Sequence, residues 1–126
     1  MKEALVVLGE GGTPLYWHLP EERSMTHLPD SRTLWGVLWN QRHLVVGVAH
    51  SHPGTGRPSP SWEDCTTFSA IEQGLGRRLS WWITSDDGLV VVRWVGPDKY
   101  DYETEESSER PDWLMSLRMR SREDRG

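Results

Sequence analysis

The run Leu44-Val45-Val46-Gly47-Val48-Ala49 leads directly into His50-Ser51-His52-Pro53, crosses Gly54-Thr55-Gly56-Arg57-Pro58-Ser59-Pro60, and reaches Ser61-Trp62-Glu63-Asp64. A short continuous apolar run suits a strand buried on both faces in the middle of a sheet. Three prolines and two glycines between Pro53 and Pro60 make a loop. Ser61 is a good N-cap, and Glu63 and Asp64 fall in the first helical turn, where the helix dipole favours anions. Trp62, Cys65, Phe68, Ile71 and Leu75 follow at spacings of three or four and are expected to form the buried stripe of this helix. Cys65 is therefore read as a core residue. Gly74 and Gly76 close the helix.

Before this segment, Ala4–Leu8 reads as a buried strand, Glu10-Gly11-Gly12-Thr13-Pro14 as a turn, and Leu15–Leu19 as the partner strand of a hairpin. Pro20 to Ser31 reads as loop. Asp30 or Ser31 can cap a helix running to about Arg42, with Leu34/Leu38 and Trp35/Trp39 four apart on its apolar face. After the segment, Leu79–Thr84 and Leu89–Val95 flank Asp86-Asp87-Gly88, a strong hairpin signal. The order β-β-α-β-α-β-β predicts an α/β (α+β) fold, a mixed β-sheet flanked by helices. Residues 1–98 form this body. Residues 99–126 are richly charged and are expected to be a mostly solvated tail, with a short helix near 111–120 whose weak apolar face holds Trp113, Leu114, Leu117 and Met119; the alternative is a helix that binds a partner or the body.

The chain has 126 residues, enough for one domain with a real core. Its net charge of −5 argues against a phosphate-backbone binder, so no nucleic-acid partner is expected. No apolar run approaches membrane-spanning length, and Met1–Leu8 reads as a strand rather than a signal peptide. A single cysteine excludes an intramolecular disulfide and fits a reducing, cytoplasmic setting.

The chemistry lies around the two histidines. In an extended chain residues i and i+2 point to the same side, so His50 and His52 can present both imidazoles to one point. A carboxylate at the start of the following helix can close a third corner. Two histidines, one carboxylate and an open position are a catalytic zinc set. Zinc acidifies its water and polarises a carbonyl, and a free carboxylate nearby must then carry the proton. His18, His27 and His43 are scattered among apolar and loop positions and are expected at the surface or half-buried. Gly9–Gly12 lacks the lysine and spacing of a nucleotide-binding loop.

The segment resembles the signature of the JAMM/MPN+ metalloproteases, a His-Ser/Thr-His-Pro element, a spacer, and Ser-x-x-Asp, with a glutamate well upstream. The apolar strand entering His50-Ser51-His52-Pro53-Gly54 and the Pro60-Ser61-x-x-Asp64 helix look like the prokaryotic JAB branch, and the resemblance extends over about residues 1–95. The spacer here holds eight residues where the family pattern has seven, a difference that a Gly/Pro loop absorbs. The resemblance implies the deaminase-like three-layer architecture. It implies that His50, His52 and Asp64 bind one Zn2+, that Ser61 helps stabilise an oxyanion, and that an upstream glutamate moves the proton. Glu3-Ala4-Leu5-Val6-Val7-Leu8-Gly9-Glu10 resembles the family's glutamate-bearing strand, which favours Glu3; Glu10, Glu21 and Glu22 are the other acids in range. No chemistry is assigned to Ser51. The implied activity is a zinc metallo-isopeptidase cutting after the C-terminal glycine of a ubiquitin-like or sulfur-carrier-like protein, with activating or conjugating enzymes of the same system as further partners. Two other readings follow from the same resemblance. One is a non-catalytic MPN-type scaffold. The other is a RadC-like protein, suggested by Gly56–Ser61 although that branch has His-Asn-His-Pro and a DNA-binding helical region.

Overall fold

A computed structural model describes residues 2–21, 23–24 and 32–122. Strand β1 (Leu5–Gly9) turns through a short 3-10 segment at Glu10–Gly12 into β2 (Pro14–His18). Helix α1 (Arg32–Asn40), strand β3 (Val45–Ser51), helix α2 (Trp62–Leu75), and strands β4 (Ser80–Thr84) and β5 (Leu89–Trp94) follow. The chain continues through β6 (Tyr102–Glu106) to helix α3 (Asp112–Arg122). The expected α1 cap at Asp30 or Ser31 lies outside the described residues.

The six strands form one sheet in the order β2-β1-β3-β4-β5-β6. Only the central pair, β3 and β4, is parallel; α2 makes the crossover between them. Gly47 lets these two strands meet closely, since a Cβ there would stand 2.6 Å from the Ser80 carbonyl oxygen.

The sheet is apolar on both faces. Val7, Val48, Trp81, Ile83, Val90 and Val92 pack under α1 and α2, through Leu34, Leu38, Phe68 and Ile71. On the other face Ala4, Val6, Leu8, Ala49 and Leu89 pack against Trp113, Leu114 and Leu117 of α3. The result is a mixed α+β layered structure, as expected.

The short helix expected near 111–120 is present as α3, with Trp113, Leu114 and Leu117 buried and Met119 exposed, but the reading of its surroundings as a mostly solvated tail is corrected. β6 pairs antiparallel with β5 from Val90↔Glu106 to Trp94↔Tyr102, and α3 is the only helix contributing to the second core among the described residues. The physical reason is that a sheet apolar on both faces needs cover on both. The acids of β6 misled the sequence reading because they belong to an edge strand, where exposed charge blocks unwanted pairing. Residues Tyr102 and Thr104 turn toward the protein while Glu103 and Glu105 face water.

Two smaller corrections concern α2 and β3. Trp62 is 67% exposed and meets the Tyr100 ring instead of the core, and Cys65 is only half-buried. The buried residues of α2 start at Phe68, while its first turn carries Asp64 beside His50 and His52. Val46 is exposed, so the first part of β3 is covered on one side only.

A buried carboxylate ties α2 to the sheet. Glu72 accepts from the Leu79 backbone N–H (2.9 Å) and Trp81 Nε1 (3.0 Å) through one oxygen, and from Arg78 (3.0 Å) and the Tyr102 hydroxyl through the other. Its side chain joins α2, β4 and β6 at one point.

Candidate metal centre

His50 ends the apolar run of β3 and His52 follows two residues later, so the extended backbone turns both rings to one side. Their Nε2 atoms stand 3.0 Å apart. Asp64, in the first turn of α2, approaches both: Oδ1 is 3.5 Å from His50 Nε2 and Oδ2 is 3.2 Å from His52 Nε2. A tetrahedral zinc with ligands at about 2.0–2.1 Å sets neighbouring donors about 3.3 Å apart. The His50–His52 separation lies near that value, and each Asp64 oxygen faces one of the two imidazoles at a similar distance; imidazole and carboxylate are zinc-type donors.

A capping box holds Asp64 in this pose. The Asp64 backbone N–H donates to Ser61 Oγ (3.0 Å), and the Ser61 N–H donates to Asp64 Oδ2 (2.9 Å). In that box Ser61 Oγ is an acceptor, so its own hydroxyl hydrogen is not consumed by the cap. Capping and donation to an oxyanion are therefore compatible.

Glu3 reaches the same place from the residues preceding β1. One of its carboxylate oxygens and one nitrogen from each of His50 and His52 all lie within 4.8 Å of one another. Of the other acids considered, Glu10 and Glu21 are exposed, Glu10 beyond the opposite end of β1, and Glu22 lies outside the described residues.

The charges at this centre are coupled. Burial pushes the Glu3 carboxyl up to about 7; His52 opposes the rise, and Asp64 and Glu63 add to it. Burial disfavours a charge on His52 too, yet the hydrogen bond and charge of Asp64 outweigh it and hold the imidazole above its ordinary value. For Asp64, burial is outweighed by hydrogen bonds from His50 and His52, which keep its carboxyl well below the usual range. Glu3 is thus a carboxyl poised near neutrality beside a firmly ionised one, the pattern that separates a proton carrier from a fixed anion.

The loop between His52 and Ser61 is braced by the β4–β5 turn. The Asp86 N–H donates to the Gly54 carbonyl (2.8 Å), the Gly56 N–H donates to Asp87 Oδ1 (2.8 Å), and Ser85 Oγ donates to the Gly56 carbonyl. Gly88 permits this contact, since a Cβ there would stand 2.7 Å from the Gly56 oxygen. Opposite His52, the Thr84 carbonyl accepts from the His52 N–H (2.8 Å). The eight-residue spacer is therefore a fastened loop.

Against the sequence reading, His18 is buried. It lies in register with Leu5, which lies in register with His50, so all three share one sheet face. Its Nδ1 is 3.5 Å from the Tyr16 hydroxyl. His43 is exposed, as expected, and His27 lies outside the described residues.

The chain matches the family of prokaryotic homologs of the JAB domain over residues 4–96. It belongs to that family. The match covers β1 through β5 and contains His50, His52, Ser61 and Asp64, while Glu3, β6 and α3 lie outside it. JAB-domain proteins include metalloproteases, and the cluster of Glu3, His50 and His52 could hold a metal ion. No curated protein matched the chain. Among the described residues, no helix is long and apolar enough to cross a membrane.

Proposed function

We propose that this JAB-domain protein is a zinc-dependent isopeptidase or peptidase, with His50, His52 and Asp64 as zinc ligands. The carrying observation is the convergence of two imidazoles and the Asp64 carboxylate within 3.5 Å of one another, with Glu3 buried beside them. Asp64 is taken as the ligand, and not Glu3, because its oxygens lie within 3.5 Å of both imidazole nitrogens and its carboxyl is held ionised. That choice leaves a fourth position open for chemistry.

Bound zinc would supply Lewis acidity toward a scissile carbonyl and acidify an attacking water. Glu3 would accept the proton released as water attacks, and then deliver it to the leaving amine. The Ser61 hydroxyl would donate to the developing oxyanion while its oxygen continues to cap α2. The substrate class is the glycine-ended tail of a ubiquitin-like or sulfur-carrier-like protein, cut from a conjugate, a precursor or a small-molecule adduct. Activating or conjugating enzymes of the same cytoplasmic system would be its further partners.

The test is zinc stoichiometry by elemental analysis on wild type and Glu3→Gln, alongside hydrolysis of a linear fusion placed after a ubiquitin-like Gly-Gly terminus. The expected result is about one zinc in both proteins, with cleavage in wild type only. Absence of zinc in reconstituted wild type would overturn the reading in favour of a scaffold. Undiminished cleavage by Glu3→Gln would overturn the role given to Glu3.

A further inference from the structure

Glu3 sits outside the family-matched residues 4–96 and outside any regular strand, yet its backbone is held at every polar atom. Its N–H donates to the Ser24 carbonyl (2.7 Å), and its carbonyl accepts from the Arg23 guanidinium (3.2 Å). The residues on either side of it are held by two buried serines. Going from one flank to the other, the Ala4 N–H donates to Ser51 Oγ (2.9 Å), Ser51 Oγ donates to Ser121 Oγ (3.0 Å), and Ser121 Oγ donates to the Lys2 carbonyl (2.7 Å). Two backbone bonds reinforce this chain: the Lys2 N–H donates to the Ser121 carbonyl (2.7 Å), and the Ser51 N–H donates to the Ala4 carbonyl (2.9 Å). The hydrogen-bond chain closes into a ring through the Lys2-Glu3-Ala4 backbone, with Glu3 at its apex.

The members of this ring come from the three places that must be in register. Ser51 lies between His50 and His52. Lys2 and Ala4 flank Glu3. Ser121 lies in the last turn of α3, with only 4% of its surface exposed. Each hydroxyl has one donor role and one acceptor role in the ring, and both are filled in one direction. A buried, fully satisfied chain of this kind specifies a single arrangement.

We infer that Ser121 of α3, acting through Ser51, is a positioning residue that sets the Glu3 carboxylate against the His50–His52 pair. The inference builds on the role proposed for Glu3. It gives α3, which lies beyond the family-matched region, a part in the centre as well as in the core. A second contact of α3 points the same way. Arg118 donates to Thr84 Oγ1 (3.0 Å) and to the carbonyls of Ser85 (3.0 Å) and Gly88 (3.1 Å), in the turn that fastens the loop after His52. One helix thereby steadies both sides of the centre.

The test compares Ser121→Ala, Ser121→Thr and Leu117→Ala in the full chain. The readouts are amide hydrogen exchange at Ala4 and the absorption spectrum of protein loaded with cobalt(II) in place of zinc. Ser121→Ala is expected to bind cobalt fully, to speed exchange at Ala4 by about tenfold, and to shift the cobalt spectrum toward that of Glu3→Gln. Ser121→Thr, which keeps the hydroxyl, is expected to restore both readouts. Leu117→Ala removes α3 packing alone and is expected to lower Tm while leaving the spectrum as in wild type. Wild-type exchange and spectrum in Ser121→Ala would overturn the inference, as would faster exchange with an unchanged spectrum. If Ser121→Ala does not fold, the near-isosteric Ser121→Cys decides: wild-type readouts in it would overturn the inference, and partial shifts in both would support it. A wild type that binds no cobalt would sink the metal-centre reading, while exchange at Ala4 would still judge the ring.

Discussion

Replacing Glu72 by alanine removes the acceptor for four donors at once. Two of them, the Leu79 N–H and Trp81 Nε1, belong to buried residues, and Glu72 itself is 2% exposed. Each buried donor left without a partner costs about 1–3 kcal/mol, so this pair alone costs about 2–6 kcal/mol, and the space left by the side chain adds to it. Arg78 is half exposed and can turn to water, so it adds little. A loss of about 3–6 kcal/mol is large against the total stability of about 5–15 kcal/mol expected of a domain. At about 3–5 °C per kcal/mol for this size, Tm should fall by about 9–30 °C. Glu72→Gln should be milder, at about 1–3 kcal/mol. Its amide oxygen can keep Leu79 and Trp81, while its amino group faces the Tyr102 hydroxyl, which can reverse and accept. The assay is thermal unfolding followed by circular dichroism, with a chelator present so that metal binding does not mask the change. A fall of less than about 4 °C for Glu72→Ala (about 1 kcal/mol) would refute the idea that this carboxylate locks α2, β4 and β6 together. Equal losses from alanine and glutamine would refute hydrogen-bond satisfaction as the source.

Ending the chain at Arg110 removes α3 and should abolish the cooperative thermal transition, because Val6, Leu8, Ala49 and Leu89 lose their cover; a sharp transition near the wild-type temperature would count against it. Ser61→Ala should destabilise the fold by about 0.5–2 kcal/mol through loss of the α2 cap, with zinc content maintained because the backbone N–H at position 61 still holds Asp64 Oδ2; zinc falling well below one equivalent would refute the idea that this backbone half of the box suffices. The metal-free protein should lose stability as pH rises from about 5 to 8. The Glu3 carboxyl is raised from 4.5 to about 7 in the fold, so the folded state holds a proton that the unfolded chain releases, and stability falls across that interval. His52 is raised above its ordinary 6.5, so its contribution is complete below that pH and fades above it, in the same direction. Chemical denaturation at several pH values should show the decline, and Glu3→Gln should flatten it; a rise in stability over this range would contradict the assignment.

How much of this was legible in the sequence depends on where each residue's partners lie. His50, His52 and Asp64 could be brought together from local rules alone. Strand alternation aims both histidines one way, and a capped helix start puts Asp64 at a known place after a loop. Glu3 was harder, because no local pattern distinguishes a buried terminal glutamate from a solvated one; only the pairing Leu5↔His50 brings the start of β1 to the end of β3. The packing of residues 99–122 onto the sheet was missed for a related reason. The signal was present, but in another part of the chain. Leu89-Val90-Val91-Val92 is apolar on successive residues, which means a strand buried on both sides, and two helices on one face cannot cover both. That demand points to a third helix, and Trp113, Leu114 and Leu117 at spacings of one and three were the available stripe. Ser51 and Ser121 were least legible of all. A serine hydroxyl has no periodicity to betray it, and the two are 70 residues apart. Their significance comes only from the geometry that joins them on either side of Glu3. The consequence for the centre is physical: its proposed ligands are set by one local motif, but the carboxylate proposed to move the proton is set by contacts reaching from α3. Loss of the Ser121 hydroxyl should therefore disturb the placement of Glu3 while leaving metal affinity largely intact.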